Sequence, residues 1–322
     1  MIGKVDPEAL AALVFGRTGA PDEAVLQGPG YGEDAAAIDL GDRTLVVSSD
    51  PLSLAAERLG TLGVYVAGND VAASGADPRW LTSVLFLPED DPDLLDTVTA
   101  QLDEAAAGSG VSIVGGHSEH APALDRPLLS LTCLGVTDRF VPTGGAEPGD
   151  RLLLTKGAGI EATAILATDF RDRLEGRVDA ALLEEAAGYF SEISVAADAR
   201  AVRDRATAMH DPTEGGLIDG LLELAAAAGV RAVVDREDVP VREATRACCG
   251  AVGVDPLAVF GSGSLVAAVP EAAVDGALTD LDAAGIEAAV IGRVEATDEP
   301  ALVLDGEGIT EPVRDELYAL WG

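Results

Sequence analysis

Lysine is almost missing from this chain: Lys4 and Lys156 are the only two in 322 residues. The remaining basic side chains are arginines, and 21 basic groups face 56 acidic ones, a formal net charge of −35. With no basic stripe anywhere, a nucleic-acid backbone would be repelled, and so would an anionic membrane surface. Aromatic residues make up only 4%, which leaves Ala, Val and Leu to fill the core. The three cysteines, Cys133, Cys248 and Cys249, offer no C-x-x-C spacing and no disulfide framework. Adjacent Cys248 and Cys249 fall in a helical pattern and read as small core residues. No apolar run approaches the roughly 20 residues of a membrane span. The start, Met-Ile-Gly-Lys followed closely by Asp6 and Glu8, lacks the character of a signal peptide. The expectation is a soluble, cytoplasmic protein that binds neither nucleic acid nor membrane.

What is present is apolar and acidic at once. A hydrophobic content of 48% belongs to the globular class and separates this acidity from that of a disordered tail. It suits a halophilic protein working in concentrated salt, where the Debye length falls to ~3 Å at about 1 M and self-repulsion is screened. In such a chain a lone Asp or Glu says little. Acids carry information only where glycine, His or hydroxyl residues accompany them at the end of an element.

The period alternates along the chain. Asp6-Pro7-Glu8 opens a helix through Phe15. Ala35–Leu40 and Thr44–Ser48 read as strands joined by the hairpin turn Gly41-Asp42. Leu54 to about Ser74 is helical, Trp80–Leu87 strand-like, Asp93–Ala107 helical, Val111–Val114 a short buried strand and Leu128–Val136 another strand. Pro142-Thr-Gly-Gly-Ala-Glu-Pro-Gly-Asp150 is a linker without periodicity, dividing residues 1–142 from residues 149–322. Beyond it, strands are expected at Leu152–Thr155, Thr207–His210, Arg231–Val234, Leu265–Val269 and Ala288–Ile291. Helices are expected at Gly157–Ala167, Ala180–Phe190, Val195–Asp204, Gly216–Ala228, Arg242–Val252 and Glu271–Ala284. The fold class is α/β (α+β), in two domains.

Acid-and-glycine stretches interrupt these elements. Gly30-Tyr-Gly32-Glu-Asp34 precedes a strand, so it is no dinucleotide fingerprint; it reads either as a loop wrapping phosphate with Asp34 toward a cation, or as an ordinary turn. Asp50 follows a strand. Asn69-Asp70 sits mid-helix, where both residues cost helix propensity and would be expensive on the apolar face unless a cation binds them. Gly115-Gly116-His117-Ser118-Glu119 reads as a strand-end loop presenting hydroxyl and carboxylate to phosphates, with a solvated turn as the alternative. Zinc competes weakly there, because His117 and His120 lack a thiolate or a helical His frame. His210-Asp211-Pro-Thr213-Glu214-Gly215-Gly216 opens a helix, and its free N–H groups form a natural anion site. Together these stretches suit a nucleotide held through Mg²⁺, since carboxylates take a hard cation and glycines admit phosphate to the backbone.

Taken in order, the stretches Gly30-x-Gly-Glu-Asp-Ala-Ala36, Asp50-Pro51, Asn69-Asp70-x-Ala-Ala-x-Gly-Ala-x-Pro78, Pro148-Gly-Asp150 and Met209-His-Asp-Pro-Thr-x-Gly-Gly216 resemble the superfamily of aminoimidazole ribonucleotide synthase (PurM-like). That superfamily also holds thiamine-monophosphate kinase, selenophosphate synthase and HypE. Asp255-Pro256-Leu257 adds a trait similar to HypE and the AIR synthase-related proteins around it. The resemblance implies an N-terminal mixed-sheet domain that pairs with its twin in a homodimer, a C-terminal α/β sandwich, and ATP between them. It implies Asp34, Asp50, Asp70 and Asp211 as Mg²⁺ ligands. Gly30, Gly32, Asn69, Gly115, Gly116, Ser118, Thr213, Gly215 and Gly216 would lie at the nucleotide. The reaction implied is phosphorylation, or activation by phosphoryl transfer, of a small-molecule or carbamoyl-type substrate, with His210 or Glu214 handling protons; for His210 a structural imidazole capping the loop is the equal alternative.

Two departures stand out. The sequence ends Leu-Tyr-Ala-Leu-Trp-Gly322 without the C-terminal cysteine of HypE, and His117 replaces the acid that follows Gly-Gly in the kinase and the synthase, with Glu119 the candidate to take its place. The rival reading is a hydrogenase or metalloenzyme maturation factor that binds a partner protein, with ATP as a switch or absent.

Overall fold

The computed structural model describes residues 3–54 and 57–321. In the first half, α1 (Pro7–Leu13) starts where Asp6 Oδ1 accepts the backbone N–H groups of Glu8 and Ala9. Six strands follow: β1 (Val25–Gln27), β2 (Ala36–Asp39), β3 (Thr44–Leu52), β4 (Asp77–Leu87), β5 (Ser112–His120) and β6 (Leu128–Thr137). They form one sheet in the order β1-β2-β3-β6-β4-β5. The helices α2 (Leu59–Ala73) and α3 (Pro92–Ser109) stack outward from it, α2 lying on β3 and β6. Alternation along β6 buries Leu129, Leu131 and Cys133 against α2.

The second half builds a seven-stranded sheet, β13-β12-β9-β11-β7-β10-β8. Its strands are β7 (Asp150–Thr155), β8 (Ala208–His210), β9 (Val230–Val234), β10 (Val266–Pro270), β11 (Ala288–Ala296), β12 (Ala301–Leu304) and β13 (Glu307–Ile309). The helices are α4 (Ile160–Ala167), α5 (Arg171–Leu174), α6 (Ala180–Gly188), α7 (Ala196–Val202), α8 (Gly216–Ala228), α9 (Glu243–Val252) and α10 (Val274–Ala283). Central β7 shows why both faces are covered. Leu152 and Leu154 pack into the core beneath α8, while Leu153 points into the core of α7 and α10. An unbroken apolar run is what a strand buried on both sides requires. α4, α6 and α9 close a further cluster with Phe260, Leu317 and Tyr318.

The two halves are stapled together. Asn69 of α2 donates from Nδ2 to Ile193 O at 2.9 Å and accepts Val195 N–H at 2.8 Å. Arg139 donates to Asp204 O at 2.7 Å and Ala206 O at 2.8 Å.

Several expectations are corrected. β3 runs on to Leu52 because β6 pairs with it throughout, Asp50 opposite Leu131, so Asp50 lies inside a strand and not after one. The expected short buried strand at Val111–Val114 is a nine-residue edge strand, β5, parallel to β4 and exposed at every position. The helix expected from Leu54 is described from Leu59, with residues 55 and 56 outside the described residues. The strands β1, β12 and β13 were not expected, being too short to show a period. Among the described residues no helix is long and apolar enough to cross a membrane.

Candidate functional site

Three acids from distant parts of the sequence meet between the halves. Asp34 ends the loop before β2, Asp70 projects from α2, and Asp211 leaves β8, whose pairing with β10 (His210 opposite Val266) aims it toward α2. One carboxylate oxygen from each lies within 4.8 Å of the others. Asp50 joins beside them: Ser48 Oγ is 3.0 Å from Asp50 Oδ2 and also bonds Asp70 Oδ2, so one hydroxyl proton serves two carboxylates. The group opens into a cavity of about 620 Å³, lined by Gly30 to Asp34, Asp50, Asp70, Thr213 to Gly215 and Tyr318 among others.

This arrangement is costly without a cation. Burial, then the neighbouring carboxylates Asp50 and Asp211, push the Asp70 carboxyl well above the ordinary range. Burial and then Asp34 do the same to Asp211. Both carboxylate oxygens of Asp211 are buried without a hydrogen-bond partner. Oxygen ligands of like charge, packed together and unsatisfied, fit a hard divalent cation such as Mg²⁺. No histidine belongs to the group, so the donor set does not favour zinc.

Next to it runs a chain of alternating charge. His210 Nδ1 stands 2.7 Å from Asp34 Oδ1 and Nε2 3.2 Å from Glu223 Oε2; Glu223 Oε1 in turn accepts Lys4 Nζ at 2.7 Å. Burial opposes charge on His210, yet Asp34 and Glu223 outweigh it and raise its pKa well above the ordinary value. Burial would likewise raise Glu223, but Lys4 and His210 hold it down at about 2.

The geometry bears on four readings of the sequence. Of the two readings of His210, proton shuttle or structural imidazole, the surroundings favour the second: it is 2% exposed, with Asp34 Oδ1 and Glu223 Oε2 each facing a ring nitrogen. Asn69 was expected at the nucleotide, but both ends of its amide are bound to the backbone of Ile193 and Val195. Gly215 and Gly216 were expected to offer free N–H groups. The Gly215 N–H goes to Asp315 Oδ2 at 3.0 Å and the Gly216 N–H to Thr213 O at 3.1 Å. Both glycines have positive φ, and a Cβ there would stand 2.4 Å from Val313 O and 2.5 Å from Val259 O, so close packing requires them. Finally, Gly115, Gly116, His117, Ser118 and Glu119 lie on exposed β5 and do not line the cavity, with His117 Nε2 only 3.1 Å from its neighbour Glu119 Oε2.

Gly30, Gly32, Thr213 and Glu214 do line it. Missed were Lys4, Ser48, Asp219, Glu223 and Tyr318. Asp219 and Glu223 had a readable signal, because they sit four apart on the otherwise apolar α8. The rarity of lysine could have flagged Lys4. Ser48 and Tyr318 left no local trace.

Comparison with known proteins agrees with this architecture. Residues 32–137 match the family model of the AIR synthase related protein N-terminal domain, and residues 147–305 match the C-terminal domain. The carbamoyl dehydratase HypE of Azotobacter vinelandii is 32% identical over 288 residues, covering 82% of this chain and 79% of that one. Among solved structures, E. coli HypE, described as a hydrogenase maturation protein, superposes with a TM-score of 0.71 at 26% identity, covering 91% of this chain and 94% of that one. AaThiL complexed with AMPPCP and TMP shares the fold, with a TM-score of 0.77 at 20% identity and 96% coverage of both chains. With both halves matched by the family models and a HypE relative aligned over most of its length, this two-domain PurM-like chain belongs to the AIR synthase related family.

Proposed function

We propose that the chain is an ATP- and Mg²⁺-dependent enzyme that activates a small-molecule or carbamoyl-type substrate by phosphoryl transfer. The observation that carries this reading is the convergence of Asp34, Asp70 and Asp211 within 4.8 Å, with both Asp211 oxygens lacking a partner. Mg²⁺ supplies charge neutralisation between these acids and a polyphosphate. Phosphoryl transfer asks a protein mainly for positioning and neutralisation. Asp50 would add a carboxylate from the cavity side, and Gly30, Gly32 and Thr213 would border the phosphates. Glu214, which lines the cavity and accepts the Lys4 N–H at 3.1 Å, would handle protons there. The carbamoyl-type substrate is suggested by the relative named carbamoyl dehydratase. In this reading residues 1–142 and 149–322 act as separate domains with the nucleotide between them, and β5 joins two copies of the chain.

Calorimetry with Mg-ATP in concentrated KCl tests the proposal. The parent should bind, while Asp70→Asn and Asp211→Asn should each bind at least about tenfold more weakly, the loss of one charge-assisted ligand. Equal affinity in parent and variants would remove the metal assignment.

A second reading, a maturation factor that works through a partner protein, is favoured by the likeness to E. coli HypE described as a hydrogenase maturation protein. It predicts negligible ATP turnover by the isolated chain and a rise when the partner is supplied.

A further inference from the structure

The segment before α1 lines the cavity and is pinned on both sides. Gly3 adopts φ +119, and a Cβ at that position would come 2.8 Å from Tyr318 Cε2, so the backbone is laid directly on the tyrosine ring. The Lys4 N–H donates to Glu214 Oε2 at 3.1 Å. Two residues on, Asp6 caps α1 and fixes the direction in which the chain leaves. Lys4 is thereby held with its side chain in a cavity rich in carboxylates.

Among the described residues, three cationic side chains line that cavity: Lys4, His210 and Arg314. His210 has a carboxylate on each ring nitrogen, and the Arg314 guanidinium lies 5.7 Å from the centroid of the Tyr318 ring. Lys4 differs from both. Its ammonium spends one close contact on Glu223 at 2.7 Å and stands 3.9 Å from Asp219, while 41% of the side chain stays exposed. A lysine ammonium has three donors on a flexible stem, so further bonds remain free. Glu223 also has His210 Nε2 at 3.2 Å, so it keeps a cationic partner if the lysine turns toward a ligand. A polyphosphate entering here meets the carboxylates of Glu33, Asp34, Asp50, Asp70, Asp219 and Glu223. The clustered aspartates and their cation account for the inner part of such a ligand, and its outer end still needs a positive charge.

We propose that Lys4, carried on the pinned segment Gly3–Asp6, contacts the terminal phosphate of a nucleoside triphosphate and sets the preference for triphosphate over diphosphate. This rests on the nucleotide reading given above and deepens it by naming the group that tells the two nucleotides apart. Lys4 has no part in holding the metal.

Calorimetric titration of the full chain with Mg-ATP and with Mg-ADP decides the matter. Lys4→Met should lose about tenfold or more in affinity for ATP, the worth of one charge-assisted hydrogen bond, and stay within about threefold of the parent for ADP. Lys4→Arg keeps the charge and should retain most of the preference. Gly3→Ala keeps the ammonium but lifts the segment off Tyr318, and should lower the ATP-to-ADP affinity ratio while the fold, read by near-UV circular dichroism, is unchanged. If Lys4→Met weakens ATP and ADP equally, or weakens neither, the assignment falls and Lys4 is only a structural counter-charge to Glu223. An unaltered ratio in Gly3→Ala would remove the role of the pinned segment. A parent that binds neither nucleotide would instead overturn the nucleotide reading itself, an outcome distinct from all of these.

Discussion

Asp211 lies 1% exposed and has no hydrogen-bond partner for either carboxylate oxygen, a state that raises the energy of the metal-free fold. The Asp211→Asn variant that weakens Mg-ATP binding should therefore be more stable than the parent in the absence of divalent cation, by about 1–3 kcal/mol, and melt higher. Thermal denaturation in chelator checks this, and a lower melting point would mean that the carboxylate is satisfied. Glu161 makes the same physics visible through pH. Buried at 6% exposure, it has its pKa pushed up to about 7 by desolvation, partly offset by Ser262. Asp315 is raised to about 7 by the same cause. A carboxyl whose folded pKa exceeds its unfolded one holds its proton more tightly when folded. Its contribution to stability is full below about pH 4 and is lost as pH rises through about 7. Glu161→Gln should flatten that decline, gaining up to about 3 kcal/mol over the parent at pH 8 and little at pH 4. Urea midpoints at the two pH values measure the difference, and parallel profiles for parent and variant would refute it.

At the scale of elements, α2 shows how a local signal misleads about role while being right about location. Asn69-Asp70 is a poor pair for a helix interior, which marks the stretch as one where tertiary contacts override propensity. Asp70 does turn to the acid cluster, whereas Asn69 turns to the segment Ile193–Val195 of the other half. Asn69→Ala should cost about 2–4 kcal/mol, two buried hydrogen bonds with backbone partners left unpaired. Chemical denaturation would show this as a lower midpoint, and a cost below about 1 kcal/mol would mean that water replaces the amide. α8 gives the complementary lesson. Its bounds, Gly216–Ala228, follow directly from the apolar period and the glycines on either side. Yet the N–H groups of Gly215 and Gly216 are consumed by Asp315 and Thr213 O, contacts that no reading of the local stretch reveals.

For the molecule as a whole, the edge of the first sheet bears on assembly. β5 presents Ile113 at 43% and Val114 at 58% exposure along a strand that, among the described residues, has no partner on its outer side. Exposed apolar edge strands invite pairing, and a copy of the same chain is the occupant proposed here. Val114→Asp should convert a dimer into monomers, with the change in mass read by light scattering. A parent that is already monomeric at micromolar concentration would dismiss the pairing.

The α/β alternation, the long helices and most strands of both sheets are legible in the sequence, because periods of 2 and 3.6 are local and survive any arrangement of the elements. So are the places where acids and glycines crowd the ends of elements. Which of those acids meet is a matter of the folded arrangement. Lys4 and Glu214 bond across 210 residues, and Asn69 reaches Ile193 across 124. Such contacts depend on strand order and on how the two sheets are stapled together, and nothing in the neighbourhood of either residue encodes them. The same holds for the surroundings of His210. Its neighbours in space, Asp34 and Glu223, come from a loop in the first half and from helix α8, and their charge favours the protonated ring.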